Sequence, residues 1–332
     1  MPELVPVSGL DIDPTAANRF DAWAGVLADA ARHDEGEDHD AWTAQELRGL
    51  EGDTTARRLQ VLATVDGDPV GAAGLVLPLL DNQHAAMLVL AVHPAHRRRG
   101  DGGALLAWAE EQARAAGRTT AYTETRWSGG RDDDGHAPFA LAHGYLAAQT
   151  VLRSDLDVAT ATGSAPSAPS GYRVETHVDA MPDADLADRA VLARRMSTDT
   201  PLGDLELGEE AWDEERVRGE DERAGAMGRR VVASFARDLR SGRLVGYTAL
   251  QVPRGAPALA YQQDTLVLRE HRGRGLGLAL KAAALAAVVQ ELPEVRRVRT
   301  WNAVENTHML AVNAAQGYRA SGYLREWHKP LG

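Results

Sequence analysis

The stretch Asp264–Gln290, DTLVLREHRGRGLGLALKAAALAAVVQ, decides how the chain is read. It opens on a strand-like apolar run, Thr265, Leu266, Val267 and Leu268. A basic, glycine-rich turn follows (His271, Arg272, Gly273, Arg274, Gly275, Leu276, Gly277), and then a long Ala/Leu/Val helix. A helix that starts directly after a glycine turn is an anion site, because its first backbone N–H groups lack intrahelical partners and the helix dipole lies behind them. Gly275 and Gly277 let the backbone close on a phosphate with no Cβ in the way. The turn has neither the GK[ST] ending of a Walker loop nor the spacing of a dinucleotide-binding fingerprint.

The same device occurs upstream. VLAVHPAHRRRGDGGALLAWAEE, from Val89 to Glu111, sets Arg97, Gly100 and Gly102 between an apolar run and a helix. The offset is constant: 272 − 97, 267 − 92 and 246 − 71 all equal 175. A repeat kept over Gly71–Gly103 and its partner predicts two copies of one domain. Residues 159–171, ATATGSAPSAPSG, have no charge and are rich in Ser, Pro and Ala, the composition of a linker. The expected boundaries are therefore 1–158, a linker at 159–171, and 172–332.

Composition narrows the functional classes. A chain of 332 residues, 44% hydrophobic and 25% charged, suits two domains with real cores. No run of about 18 apolar residues is present to span a membrane, and MPELVPVSGLDID lacks the basic and apolar regions of a secretion signal. With no cysteine, thiol catalysis and disulfides are excluded. A net charge of −12 argues against a nucleic-acid partner, whose phosphates call for a basic face. It fits a cationic substrate, or a surface that is acidic for solubility alone.

Periodicity predicts helices over Ala17–Arg32, Trp42–Leu50 (Trp42 and Leu47 inward), Gly103–Ala116, Ala137–His143, Asp183–Met196, Glu209–Arg223 (Trp212 and Val217 inward) and Asn306–Ala315. Strands are expected over Leu59–Val65 and Val70–Pro78 around an Asp66-Gly67-Asp68 turn, then over Ala85–Val92, Thr119–Thr125 and Val151–Val158. The second copy repeats them at Arg230–Ala236, Leu244–Val252, Val295–Asn302 and from Gly317 onward.

Arg272-x-x-Gly275-x-Gly277 and Arg97-x-x-Gly100-x-Gly102 match the R-x-x-G-x-G signature of the GNAT acyl-CoA N-acyltransferases, and each copy resembles a GNAT domain along nearly its whole length. The second copy is similar to one subgroup of tandem acetyltransferases through DTLV-x-x-x-HRGRGLG (Asp264–Gly277) and TWN-x-x-x-N-x-x-M-x-x-VN-x-x-x-GY (Thr300–Tyr318). The resemblance implies an α+β (α/β) chain of two tandem GNAT folds, each a mixed, V-splayed β-sheet flanked by helices. It also implies acetyl-CoA as co-substrate, no metal, and a cytoplasmic location, where acyl-CoA is found. The pyrophosphate would lie on Arg272, Gly273, Arg274, Gly275, Leu276 and Gly277. In the first copy it would lie on Arg97, Arg98, Arg99, Gly100, Gly102 and Gly103, beside Val92. Pantetheine would run along Leu266, Val267 and Leu268, with a backbone N–H near Val267 facing the thioester oxygen.

Individual residues carry two readings each. Arg272 and Arg274 either contact phosphate or are solvated turn arginines. Asp264 either handles the proton of a substrate ammonium or caps a strand edge; its counterpart, 264 − 175 = 89, is Val89. The family tyrosine that protonates the leaving thiolate stands four residues before a Gly-aromatic pair. Here those positions are Asn313 and Ala140, and an asparagine holds a thiolate by hydrogen bonding without giving up a proton. Asn306 is a CoA-side contact, an N-cap, or both. Glu214, Glu215 and Glu220 either bind a cation or form a solvated face, His308 is a cleft candidate or solvated, and the 199–204 loop is placed to shape an acceptor site. Asp101 puts negative charge beside the first turn unless it swings to solvent.

The function expected from this is N-acetyl transfer from acetyl-CoA to a small-molecule amine by direct attack in a ternary complex. Asp264 and Asn313 would be catalytic in the second copy, and the first copy weakened or structural. The alternatives are a non-catalytic acyl-CoA sensor or scaffold and a protein N-acetyltransferase. The protein would be a monomer or homodimer.

Overall fold

Strand β1 (Glu3–Val7), which periodicity missed, pairs antiparallel with β2 (Ala56–Val65). Asp66 and Gly67 take φ of 53° and 87°, the turn geometry that matches strand twist, and so carry β2 into β3 (Asp68–Pro78). The computed structural model describes residues 2–161, 168–199 and 201–332, so linker positions 162–167 and Thr200 of the 199–204 loop lie outside the described residues.

The chain divides into two compact units. One comprises Met1–Val151, Leu202–Leu207 and Gly322–Gly332; the other comprises Leu152–Pro201 and Gly208–Ser321. Chain order alone would have kept the C-terminus with the second copy. Tyr323–Pro330 instead pair antiparallel with Thr120–Trp127, and Trp327 enters the first core.

In the first unit the strands run β1-β2-β3-β4-β5-β12, with β4 (Ala85–Val92), β5 (Thr120–Trp127) and β12 (Arg319–Pro330). Its helices are α1 (Pro14–Glu35), α2 (Ala44–Gly49), α3 (Asp101–Ala115) and α4 (Ala137–Ala142). Asp13 caps α1 by accepting from Thr15 and Ala16, and Thr43 with Glu46 forms a capping box on α2. Trp42 stands just outside α2 and is 39% exposed, so it is not the inward residue expected; Leu47 packs on the core around Phe20 and Trp23.

The second unit runs β6-β11-β10-β9-β8-β7, with residues 152–157 of β6 (Leu146–Asp157), β7 (Tyr172–Val178), β8 (Arg229–Asp238), β9 (Leu244–Pro253), β10 (Leu259–Val267) and β11 (Arg297–Ala303). Its helices are α5 (Leu186–Asp199), α6 (Glu214–Ala226), α7 (Leu276–Glu291) and α8 (Thr307–Gln316). Fully buried Arg299 meets Asp155 with two hydrogen bonds of 2.8 and 2.9 Å, which compensates its charge inside the unit.

Each unit holds one parallel pair that parts almost at once. β4 pairs with β5 over Ala85–Met87 and Thr120–Tyr122, and β10 with β11 over Leu259–Tyr261 and Arg297–Arg299. β4 then continues to Val92 and β10 to Val267 without further pairing on that edge among the described residues, although the Thr123 hydroxyl donates across to the Leu88 carbonyl at 3.1 Å. These are the two splayed sheets expected.

The glycines at the 175-residue offset have a packing reason. A Cβ on Gly71 would lie 2.7 Å from Leu105 Cδ1, and one on Gly246 would lie 3.4 Å from the equivalent Leu280 and 2.8 Å from the Leu266 carbonyl oxygen. Both units thus seat the glycine-turn helix directly on bare backbone. Gly246→Ala is expected to lose about 1–3 kcal/mol in urea unfolding, because the clash is with backbone. Gly277→Ala, whose Cβ meets nothing within 4 Å, is expected to stay within about 1 kcal/mol of the native chain.

Candidate active site

The register of β9 against β10 shifts by one residue between Gln262 and Thr265. The first unit has no such shift between β3 and β4, so β10 carries one extra residue. Such a bulge leaves backbone groups off the ladder. Buried Gln262 answers for them, its amide donating to the Ala249 carbonyl at 2.8 Å and to Thr248 Oγ1 at 2.9 Å. Thr248 and Thr265 join hydroxyls at 2.7 Å across the same point.

The bulge presents Asp264. Asp264 is exposed at the surface, although neighbouring protein atoms desolvate its carboxylate. Tyr247, on β9, donates its hydroxyl to Asp264 Oδ2 at 3.0 Å. Burial raises the carboxyl above its ordinary value; the Tyr247 bond opposes this, and the charges of Glu220 and Glu210 add to the rise. Burial and the Asp264 charge hold the Tyr247 phenol well above its usual range, so it remains a donor. Asp264 is therefore a carboxylate in a negative field, more basic than a solvated aspartate.

Of the three candidate glutamates, Glu220 is the one whose field reaches Asp264, and it also pairs with Arg223. Glu214 and Glu215 are exposed in the first turn of α6, and His308 is exposed on α8. Tyr247 and Glu210 escaped sequence reading. Glu210 bonds the Trp212 indole N–H at 2.9 Å and Arg216 at 3.1 Å. Only strand register, which puts Tyr247 opposite Leu266, would have pointed to the tyrosine. Trp301 stacks on Tyr261 at 5.8 Å in the splayed part of β11.

The open edge of β10 has defined polarity. The Leu268 N–H is spent on Val245 at 2.9 Å, and alternation along an antiparallel strand turns the Val267 N–H the other way, toward the splay. Leu266 is buried. Beyond Leu268 the chain enters the turn. Gly273 and Gly275 have φ of 73° and 79°, and Gly275 caps α7 with no side-chain bond to the first-turn N–H groups. A Cβ at 273, 275 or 277 meets no atom within 4 Å. An uncapped helix start under open space suits a pyrophosphate.

The turn arginines are held by protein. Arg272 donates to the Val267 carbonyl at 2.8 Å and pairs with Asp199 at the end of α5; Arg274 donates to the Tyr172 hydroxyl. Arg97 repeats the first arrangement, bonding the Val92 carbonyl at 3.2 Å and both Asp34 oxygens at 2.7 Å. Burial raises the Asp34 carboxyl, but bonds from His136, Arg97 and His33 outweigh it and hold the group below the ordinary range. Asp199, at the head of the 199–204 loop, thus fixes the turn; Leu202–Leu207 count with the first unit.

The first turn differs in detail. Arg98, at φ 66°, stands where the second unit has Gly273, and Arg99 bonds the Ala95 carbonyl. Gly100 caps α3 at φ 95°, a Cβ on Gly102 would lie 3.4 Å from the Phe139 ring, and Gly103 lies in the first turn of α3. Asp101 is 7% exposed, not turned to solvent as its charge would have suggested. Val89, opposite Gly74, is 45% exposed.

In the second unit Asn306 caps α8, accepting from the Met309 N–H at 3.2 Å. Asn313 is 2% exposed; its Oδ1 accepts from Lys281 Nζ at 2.7 Å and its Nδ2 donates to Asn302 Oδ1 at 2.6 Å. Among the described residues no group of three or more His, Asp or Glu side chains is arranged to hold a metal ion, and no helix is long and apolar enough to cross a membrane.

Residues 23–128 and 200–318 match the Acetyltransferase (GNAT) family. A solved tandem GNAT protein from the clavulanic acid biosynthesis pathway is 31% identical, with a TM-score of 0.85 over 100% of this chain and 99% of its own. A GCN5-related N-acetyltransferase from Sphaerobacter thermophilus (21% identity, TM-score 0.67, 99% and 96% covered) shares the fold. No match is found among curated proteins.

A raised carboxyl pKa has a definite consequence for stability. The folded protein binds the Asp264 proton more tightly than the unfolded chain, so the ionised group lowers stability above its folded pKa, and the penalty vanishes below the unfolded value near 3.8. Asp264→Asn is accordingly expected to raise Tm by about 1–3 °C at neutral pH. The gain should shrink toward zero as a melting series approaches pH 4.

Proposed function

The chain belongs to the GNAT acetyltransferase family, whose members use acetyl-CoA, and we propose that its second unit transfers the acetyl group to the amine of a small cationic molecule. The observation that carries this reading is the bulge-borne Asp264, kept basic by burial and by Glu220 and Glu210, beside an unpaired strand edge. A negative floor draws in an ammonium, and a carboxylate of raised pKa accepts its proton, leaving a neutral nucleophile. The Val267 N–H is oriented to hold the thioester oxygen as charge develops there. The nitrogen then bonds the carbonyl carbon, the C–S bond breaks, and its electron pair leaves on sulfur beside Asn313.

In this proposal acetyl-CoA lies along Val267 with its pyrophosphate on the backbone of Gly273–Gly277, while Arg272 and Arg274 contribute by fixing the turn. The first unit is the structural partner: it has Val89 in place of Asp264, a buried Asp101 at the helix start and Phe139 against Gly102.

CoA release with a panel of small amines, diamines, polyamines and peptides tests the assignment. Small cationic amines should be the best acceptors, and Asp264→Asn should lower kcat/KM by about 10²–10⁴-fold. Gly277→Glu, which adds a carboxylate to the anion site at a position where a Cβ meets nothing within 4 Å, should weaken acetyl-CoA binding at least about tenfold. Full turnover by Asp264→Asn, or turnover confined to peptides, would overturn the reading. Tight acetyl-CoA binding without turnover on any amine would leave a sensor.

A further inference from the structure

A lysine in the middle of an apolar helix needs a reason. Lys281 lies on the buried side of α7, 2% exposed, between Leu280 and the core alanines. Its ammonium donates to Asn313 Oδ1 at 2.7 Å and sits 5.1 Å from the centre of the Tyr318 ring. Met or Leu would fill that volume without the desolvation penalty of a charge. The first unit does so: 281 − 175 = 106 is Leu106, and the position matching Asn313 is Ala140, both buried and apolar. The two polar residues occur together in one unit and are replaced together in the other.

The bonds fix how Asn313 is turned. Accepting from Lys281 assigns its oxygen, so its nitrogen must face Asn302, to which it donates at 2.6 Å. Asn302 lies on β11 beyond Arg299, the last residue paired with β10, and so stands on the splayed edge where the thioester would run. An amide nitrogen has two hydrogens, and one is used on Asn302.

We propose that Lys281 is a positioning residue that makes Asn313 an anion-stabilising donor for the departing thiolate, in place of the family's proton-donating tyrosine. This rests on the assignment of acetyl transfer to the second unit. In the step, the C–S pair becomes the sulfur lone pair; Asp264, having passed the ammonium's proton to solvent before attack, takes the proton that nitrogen loses as the amide forms, and the thiolate accepts the second Asn313 N–H. Behind that amide stands the ammonium, which polarises it and supplies the opposing charge in a poorly hydrated place.

The protonation chemistry agrees. Burial pulls Lys281 down to about 7, so near neutrality the ammonium exchanges readily with the amine form. The groups that face it are Asn313 from α8 and Tyr318 at the head of β12. Burial and Asp155 raise the Tyr318 phenol, which stays neutral, and Asp155 is itself paired with Arg299. A thiolate next to Asn313 favours the ammonium, and by reciprocity the ammonium favours the thiolate. The sign is therefore fixed: stabilisation is full when Lys281 is protonated and fades as pH rises through its pKa in the complex.

CoA and desulfo-CoA bound to the full-length chain test this without any acceptor. Ultraviolet titration of bound CoA should find its thiol ionising about 1–2 units below the ordinary value of about 8.5. Lys281→Met and Lys281→Gln should return it to that value while the Kd of desulfo-CoA, which has no thiol, changes less than about twofold. Lys281→Gln keeps a hydrogen bond to Asn313 and guards against a folding defect in the other variant. Unchanged thiol ionisation in both variants overturns the proposal and leaves the second-unit assignment standing. Desulfo-CoA binding that ignores Gly277→Glu overturns the second-unit assignment and this proposal together.

Discussion

Everything in the second unit follows from a parallel strand pair that holds for three residues and then parts. Leu259–Tyr261 and Arg297–Arg299 are joined, and from Gln262 to Val267 one edge of β10 has no strand beside it among the described residues. Backbone N–H and C=O groups are expensive to leave unpaired away from water. A gap in the middle of a sheet therefore asks for a ligand that carries its own donors and acceptors in an extended line. The Val267 N–H faces that gap, the glycine turn closes one end of it, and Asn302 borders it from β11.

The two units share this constraint and differ in what is set around it. Both arginine clamps, Arg97 with Asp34 and Arg272 with Asp199, tie the turn to the end of an earlier helix. Both glycine-to-leucine contacts bring the turn helix onto bare backbone. The polar groups proposed for the chemistry stand in the second unit. One extra residue in β10 exposes Asp264, and a Lys281–Asn313–Asn302 chain stands where the first unit has Leu106 and Ala140. The scaffold is repeated, and the polar groups proposed to handle a proton and a thiolate stand in one half.

Much of this was legible in the sequence because it depends on local rules. The Asp66-Gly67 hairpin, β4 at Ala85–Val92, the glycine turns and the long helices follow from turn chemistry and periodicity. Asp264 was legible through the repeat, as the residue lacking a counterpart. What periodicity could not give were relations between distant strands. β1 is short, and the return of the C-terminal strand to β5 is decided by a register that pairs residues 196 (323 − 127) to 210 (330 − 120) apart in sequence. Tyr247 and Glu210 carry no motif and matter through where β9 and the chain before α6 bring them. Lys281 reads as an ordinary helix residue until its burial is known, and Trp42 reads as core until the capping box at Thr43 turns it out.

The open edge of β10 is the proposed acyl-CoA strand position, and hydrogen exchange resolved to single amides measures that edge directly. On adding acetyl-CoA, the Val267 amide should become protected, while Leu268, already bonded to Val245, should change little. Protection confined to Leu88–Val92, with Val267 exchanging as before, would contradict it.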